Sequence, residues 1–202
     1  TQHRTKINGR VGRLIDRMTF KCVYVDEDLD AVAPEALLIA RYRSDNLAAW
    51  NTNGFGNKDP GQNRDRSIVK AGHYDALYPI NLDHVLRIDP AGATSLLDVM
   101  RLVKKGLPYL FRFADRGAAG KALCERRVED VPVVLTAREW LGWIVERMSD
   151  EWAIVSLPGY VIAYPNLNPE DIQSRIGAWI VAEGEGAFVS HLPVVEDGAV
   201  DE

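Results

Sequence analysis

The chain is poor in cysteine and has no local cysteine motif. Its 202 residues include only Cys22 and Cys124, and no C-x-x-C pair occurs. Two cysteines are too few for a disulfide framework, which argues against a small, disulfide-stabilised secreted protein. We predict free, buried thiols, with Cys124 half-buried in a helix, and a reducing, cytoplasmic location.

Long hydrophobic runs are also missing. No apolar stretch approaches the roughly 20 residues that a bilayer-spanning helix needs. Residues 1–20 are basic and contain no apolar core of the kind that a signal peptide has. No membrane partner is therefore expected.

The sequence patterns of common metal, nucleotide and hydrolase sites do not occur. The chain has no G-x-x-x-x-G-K-[ST], G-x-G-x-x-G or G-x-S-x-G. Its four histidines do not stand at ligand spacing with each other or with a cysteine. The acidic run 26–30 starts like a calcium loop, but Ala31 and Leu37 occupy the positions of the required Gly and Glu. We predict no metal and no cofactor, and the sequence leaves a small-molecule ligand undefined.

The chain does contain enough apolar residues for a folded core. Hydrophobic residues make up 47% of it, and 17 residues are aromatic, which excludes disorder throughout. Helix-like and strand-like segments follow each other without regular alternation. We therefore predict a single α+β domain with about four helices and a mixed or mostly antiparallel sheet.

Several segments have patterns typical of one element. Apolar residues at helical spacing predict a helix over 10–18, and the short apolar run 36–43 favours a strand. Further predicted strands are 84–88, 107–113, 131–135 and 187–192, and a helix is predicted over 96–105.

The C-terminal third has the clearest signals. Thr136 and Glu139 form a capping box at the start of a predicted helix. Pro158-Gly159 separates the two strands of a predicted hairpin. Asn168 and the following Pro predict the start of another helix, which would run to Gly184.

Charge is distributed unevenly along the chain. Residues 1–21 hold six Lys/Arg and one Asp, whereas residues 146–202 hold two Arg and eleven Asp/Glu. This divides the chain into a basic N-terminal arm or short helix (1–18), a domain (19–193) and an acidic tail (194–202). The two ends can attract each other within one molecule or between copies.

The segment 51–67 is a long polar connection in which Phe55 is the one aromatic residue. Connections of this length in a compact domain are usually functional or disordered. We predict that it contacts a partner, with Trp50, Phe55, Arg64 and Arg66 as contact residues. Trp143 joins this set because it lies off the apolar face of its predicted helix, and aromatic residues are enriched in interfaces.

A nucleic-acid interface is a further hypothesis. Arg10, Arg13 and Arg17 share one face of the predicted N-terminal helix and could contact phosphates. The sequence pI of 5.4 argues in the other direction.

Two short motifs resemble those of cholera- and pertussis-type ADP-ribosyltransferases. Tyr42-Arg43-Ser44-Asp45 followed by Asn53-Gly54-Phe55 is similar to their first strand, and Glu183-Gly184-Glu185 is similar to their E-x-E motif. The resemblance implies that Arg43 holds NAD from a strand and that Glu185 is catalytic. Only Thr94-Ser95 stands where the family has a Ser-Thr-Ser strand.

These observations favour a non-enzymatic binding or assembly protein that docks to a protein partner or to copies of itself. An NAD-consuming, ADP-ribosyltransferase-like enzyme is the alternative. A nucleic-acid binder that uses the N-terminal arm is the third.

Overall fold

The computed structural model describes residues 2–12, 16, 32–45, 65–182, 185–190 and 195–196. The α-helices of this part are α1 (Gln2–Asn8), α2 (Val32–Ser44), α3 (Tyr74–Leu77), α4 (Leu96–Gly106), α5 (Gly117–Glu125) and α6 (Ala137–Val145). The strands are β1 (Val69–Lys70), β2 (Val85–Arg87), β3 (Leu110–Phe113), β4 (Val134–Thr136), β5 (Trp152–Ser156), β6 (Tyr160–Pro165), β7 (Gly177–Ala182), β8 (Glu185–Ser190) and β9 (Val195–Glu196). Across these residues, no helix is both long enough and apolar enough to cross a bilayer.

A five-stranded sheet with the order β3-β6-β5-β7-β8 forms the centre of the fold. Only the β3–β6 pair is parallel, and the other pairs are antiparallel. Two small ribbons, β2–β4 and the parallel pair β1–β9, lie beside it. The predicted single α+β domain with a mixed sheet is confirmed.

The two faces of this sheet are covered differently, because strand residues point alternately to opposite sides. On the side that we call the helix face, Phe111, Ile154, Val161 and Trp179 pack with α4 and α6 in the larger core. The opposite side, the loop face, has a smaller apolar cluster: Val155, Leu157, Tyr160, Ile162, Ile172 and Ala178. Polar and charged side chains therefore accumulate on the loop face.

The locally encoded elements agree with the sequence. The helix predicted at 96–105 is α4, and Ser95 and Asp98 form its capping box. The helix predicted after Thr136 is α6, where the predicted capping box with Glu139 is present. The hairpin around Pro158-Gly159 is formed by β5 and β6, and β2, β3, β4 and β8 occupy the other predicted strand regions.

The strand predicted over 36–43 is wrong, because these residues belong to helix α2. Ala, Leu and Arg, which dominate the run, have high helix propensity. Pro34 lies in the first turn of the helix, where its missing N–H is tolerated.

The helix predicted from Pro169 to Gly184 is also wrong. Only a single 3-10 turn forms, at Pro169–Asp171, and residues 177–182 are strand β7. Trp179 lies opposite Ile154 on one neighbouring strand and Phe188 on the other. As a helix, this segment would leave β5 and β8 without their shared neighbour, so sheet pairing decides the conformation.

The first residues of the helix predicted over 10–18, residues 10–12, are not helical. The N-terminal helix lies earlier, at α1, and Arg10 makes a β-bridge with Ile80. Gly12 has φ +95°, a left-handed conformation that stops a right-handed helix. Residues 13–15, 17 and 18 lie outside the described residues.

Cys124 is exposed on α5, so its predicted half-buried position is wrong. The α5 residues that face the core are Gly120 and Leu123, and Cys124 falls on the other side of the helix. Cys22 lies outside the described part of the chain.

Candidate functional site

A buried polar cluster on the loop face holds the end of the polar segment that leads into the domain. The Asp65 side chain is only 7% exposed and forms an ion pair with Nη2 of Arg112. The Tyr160 hydroxyl donates a hydrogen bond to Asp65 Oδ1 at 2.7 Å. We call Asp65, Arg112 and Tyr160 the Asp65 anchor.

The rest of the sheet supports this anchor. Nε of Arg112 donates to the Tyr164 hydroxyl at 2.6 Å, and its guanidinium carbon lies 5.3 Å from the centre of the Tyr160 ring. Burial, and then the hydrogen bond to Asp65, raises the pKa of the Tyr160 phenol. Tyr160 therefore stays protonated and remains a donor, and Asp65 is its acceptor.

After Asp65 the chain runs along the loop face and is fixed at several further points. Arg66, which is exposed, makes an ion pair with Asp171 at 3.3 Å. The Val69 N–H donates to Ser174 Oγ at 2.9 Å, and β1 then pairs with β9. The segment 65–70 is therefore held in place beside the loop 166–176.

A second buried ion pair lies near the hairpin turn. Arg10 is 4% exposed and its Nη2 is 2.8 Å from Asp75 Oδ1. Its Nη1 donates to the carbonyl oxygens of Pro158, at 2.8 Å, and Tyr78, at 3.2 Å. A Cβ on Gly159 would sit 2.5 Å from Asp75 Oδ2, so the turn needs glycine there. We call this arrangement the Arg10–Asp75 pair; it ties the N-terminal segment to α3 and to the β5–β6 turn.

His73 lies at the edge of this pair and caps α3. Its Nδ1 accepts a hydrogen bond from the Asp75 N–H at 3.1 Å, which requires a neutral imidazole. Burial lowers the pKa of His73 from 6.5; Asp75 acts in the opposite direction, and Lys6 and Arg10 lower it further. The folded protein therefore binds fewer protons at His73 than the unfolded chain does.

This difference predicts a pH dependence of stability. As pH falls below about 6.5, the unfolded chain takes up a proton at His73 first, so the free energy of unfolding decreases. His73→Asn keeps an N-capping acceptor and removes the titration. Urea unfolding between about pH 6.5 and pH 5.5 should show a smaller loss of stability in His73→Asn than in wild type. Equal losses in the two proteins would contradict this assignment.

Of the five predicted contact residues, Arg66 and Trp143 are described, and they lie on opposite sides of the sheet. Trp143 is half-buried on α6 and packs edge-on against Trp140. The guanidinium carbon of Arg147 lies 3.9 Å from the centre of the Trp143 ring. Trp143 lies on the helix face, whereas Arg66 lies on the loop face. Trp50, Phe55 and Arg64 lie outside the described residues.

Of the three predicted anion contacts, the structure describes Arg10. Arg10 is buried and its charge is matched by Asp75, which argues against contact with a partner's phosphates. The sequence does not distinguish an exposed Arg10 from a buried one. An arginine has apolar sequence neighbours both on a surface helix and in a buried β-bridge. Arg13 and Arg17 lie outside the described part.

The grouping of Asp65, Arg112 and Tyr160 has no signature in the sequence that joins the three residues. Asp65 is 47 positions from Arg112 and 95 from Tyr160, so no local motif joins them. One signal was present: Arg112 is a charged residue between Phe111 and Phe113 in a strand. A charge in that setting calls for a partner across the sheet face.

The motifs that resemble ADP-ribosyltransferases take other conformations. Arg43 lies in helix α2, not on a strand, and Ser95 is the N-cap of helix α4. Glu185 begins strand β8, and Glu183 lies outside the described residues. Arg43 therefore does not lie on the strand that the resemblance implies for NAD binding. The residues around it have high helix propensity and form α2 instead.

No group of three or more His, Cys, Asp or Glu side chains suited to a metal ion occurs among the residues that the structure describes. Comparison of the chain with models of protein families, with curated protein sequences and with solved structures gave no match. The function must therefore be argued from the geometry of this chain alone.

Proposed function

We propose that this protein is a non-enzymatic binding and assembly protein that associates with a second copy of itself through the segment 51–64. The observation that carries this proposal is the Asp65 anchor. It fixes the point at which the polar segment joins the sheet, with Asp65 buried beside Arg112 and Tyr160. A buried ion pair contributes little net stability but specifies position, and a fixed position is what a docking segment needs.

The charge distribution supports a second copy as the partner. Apart from Arg10, whose charge is matched by Asp75, the first 21 residues have a balance of +4, and residues 146–202 have a balance of −9. Opposite charge at the two ends of one chain makes two copies electrostatically complementary. The carboxylates of Asp65 and Asp75 each form an ion pair with an arginine, and each ion pair holds two chain segments together.

Self-association is tested by substitution of the single large apolar residue of the segment. We expect wild type to dimerise with increasing concentration and Phe55→Ala to weaken the dimer by about thirtyfold for each Phe55 in the interface, because truncation of an interface aromatic costs about 2 kcal/mol. Sedimentation equilibrium measures this directly. Leu77→Ala is the matched control, since Leu77 is 51% exposed on α3.

Three outcomes are informative. A wild-type chain that stays monomeric at every concentration would contradict the proposal. Equal weakening by Phe55→Ala and Leu77→Ala would show that the segment is not the contact. A large loss of thermal stability in Phe55→Ala would show that the segment packs on its own domain.

A further inference from the structure

Helices α4 and α5 lie side by side and run in opposite directions. The Leu96 N–H, at the start of α4, donates to the Arg126 carbonyl, just after α5, at 2.9 Å. At the other end, Lys104 Nζ lies 5.2 Å from the ring centre of Phe113, four residues before α5 begins. The start of each helix is therefore beside the end of the other.

The outer surface of this helix pair is basic. Its exposed cations are Arg101, Lys104, Lys105, Arg116 and Lys121, which we call the basic face. Arg126 and Arg127 are also exposed, but they donate to the Arg147 carbonyl and to Thr94 Oγ1 and so serve the fold. Three acidic residues lie in 96–127: Asp98 is used in the α4 capping box, Glu125 lies 3.7 Å from Lys121, and Asp115 precedes Arg116 in the chain.

This local charge is opposite to that of the whole protein. Apart from Arg112, which pairs with Asp65 on the loop face, residues 96–127 contain seven Lys/Arg and three Asp/Glu, a balance of +4, while the full chain has −5. The rest of the chain therefore has a balance of −9. A basic face on an otherwise acidic chain is attracted to a polyanion, and this attraction orients the protein on it.

We propose that the basic face binds the phosphate backbone of double-stranded nucleic acid. On α4, Arg101, Lys104 and Lys105 lie within about 6 Å along the helix axis, so their charges are close enough together to contact neighbouring phosphates. This site does not include Arg10, which is buried. The inference goes beyond self-association and does not depend on it.

The side chains around the cations decide between polyanions. None of the large hydrophobic residues in 96–127, all of which are described, is exposed. An interfacial membrane helix needs such residues to enter the lipid, so an anionic bilayer is a poorer fit. Tyr109, Phe111 and Phe113 are buried, so the stacking platforms that bind single strands are missing from this face.

The test measures binding of a fluorescent duplex DNA of random sequence by anisotropy over a range of salt concentrations. Arg101→Gln combined with Lys105→Gln removes two cations one helical turn apart. If both contact phosphates, the slope of log K against log salt should fall in magnitude by about 1.8. The control, Arg41→Gln with Arg87→Gln, removes two exposed cations from α2 and β2 and should leave the slope unchanged.

Other results would overturn the inference. Equal effects of the two double variants would show that only net charge matters. Binding to a single-stranded probe as tight as to the duplex, or tighter binding to phosphatidylserine vesicles than to DNA, would assign the face to a different partner. Circular dichroism of both variants confirms that each is folded, so loss of binding cannot come from loss of structure.

Discussion

Asp65→Ala should lower the free energy of unfolding by about 3 kcal/mol, because it leaves the Arg112 charge without its partner in a partly buried site. The Tyr160 hydroxyl loses its acceptor in the same step, which adds the cost of an unsatisfied buried donor. Urea denaturation followed by tryptophan fluorescence measures the change. Under conditions where the variant is folded, self-association should also weaken, since the segment 51–64 loses its fixed end.

The control for this prediction is the ion pair of Arg66, the residue that follows Asp65. Asp171→Ala removes the partner of Arg66, and both side chains of that pair are well exposed, at 46% and 72%. An exposed pair contributes only about 0–1 kcal/mol, so this variant should be close to wild type. If Asp65→Ala cost no more than Asp171→Ala, the anchor would not be a buried ion pair.

A double variant separates the two contributions. Asp65→Ala with Arg112→Leu removes both charges and leaves no uncompensated ion, so it should be less destabilised than the sum of the two single changes. Additive effects would mean that the two side chains contribute independently.

Arg10→Met should have an effect of similar or larger size, about 3 kcal/mol or more. Methionine keeps most of the volume of the side chain but removes the charge opposite Asp75 and the donors to the Pro158 and Tyr78 carbonyls. Asp75 then has Lys6, at 4.0 Å, as its remaining cation, the Tyr78 carbonyl loses the Arg10 donor, and the Pro158 carbonyl keeps the Ile80 N–H. Chemical unfolding is again the measurement.

Arg4→Met is the matched control, because Arg4 is exposed on α1. A surface change of this kind should alter stability by about 0.5 kcal/mol at most. The comparison also tests the alternative assignment of Arg10 as a phosphate contact. Unchanged stability with a loss of affinity for DNA would support that assignment and contradict the buried pair.

Elements that are set by neighbouring residues could be predicted. The α4 and α6 helices begin at capping boxes, in which the N-cap side chain and a carboxylate three residues later satisfy each other's backbone N–H groups. The β5–β6 hairpin needs only a turn signal between two apolar runs. All of these hydrogen bonds close within a few residues, so a local pattern is sufficient evidence.

Elements whose conformation depends on distant partners could not be predicted from the sequence. Trp179 and Ile180 of β7 fit a helix as well as a strand, and the two neighbouring strands decide between them. The basic face was missed for the same reason, because its cations come from two helices that meet only in the folded chain.

The sequence by itself determined an α+β domain, its main helix starts, its hairpin and the unequal charge of its ends, since composition and short-range hydrogen bonding control these features. Only the tertiary structure decided what the individual charges do. Arg10 looks like a surface cation in the sequence, yet its carbonyl partner at Pro158 is 148 positions away. Asp65 looks like part of a solvated segment, yet burial beside Arg112 makes it the anchor of that segment. A charged side chain can be buried only where the folded chain places a partner next to it. Packing, and not the neighbouring residues in the sequence, determines where that partner lies.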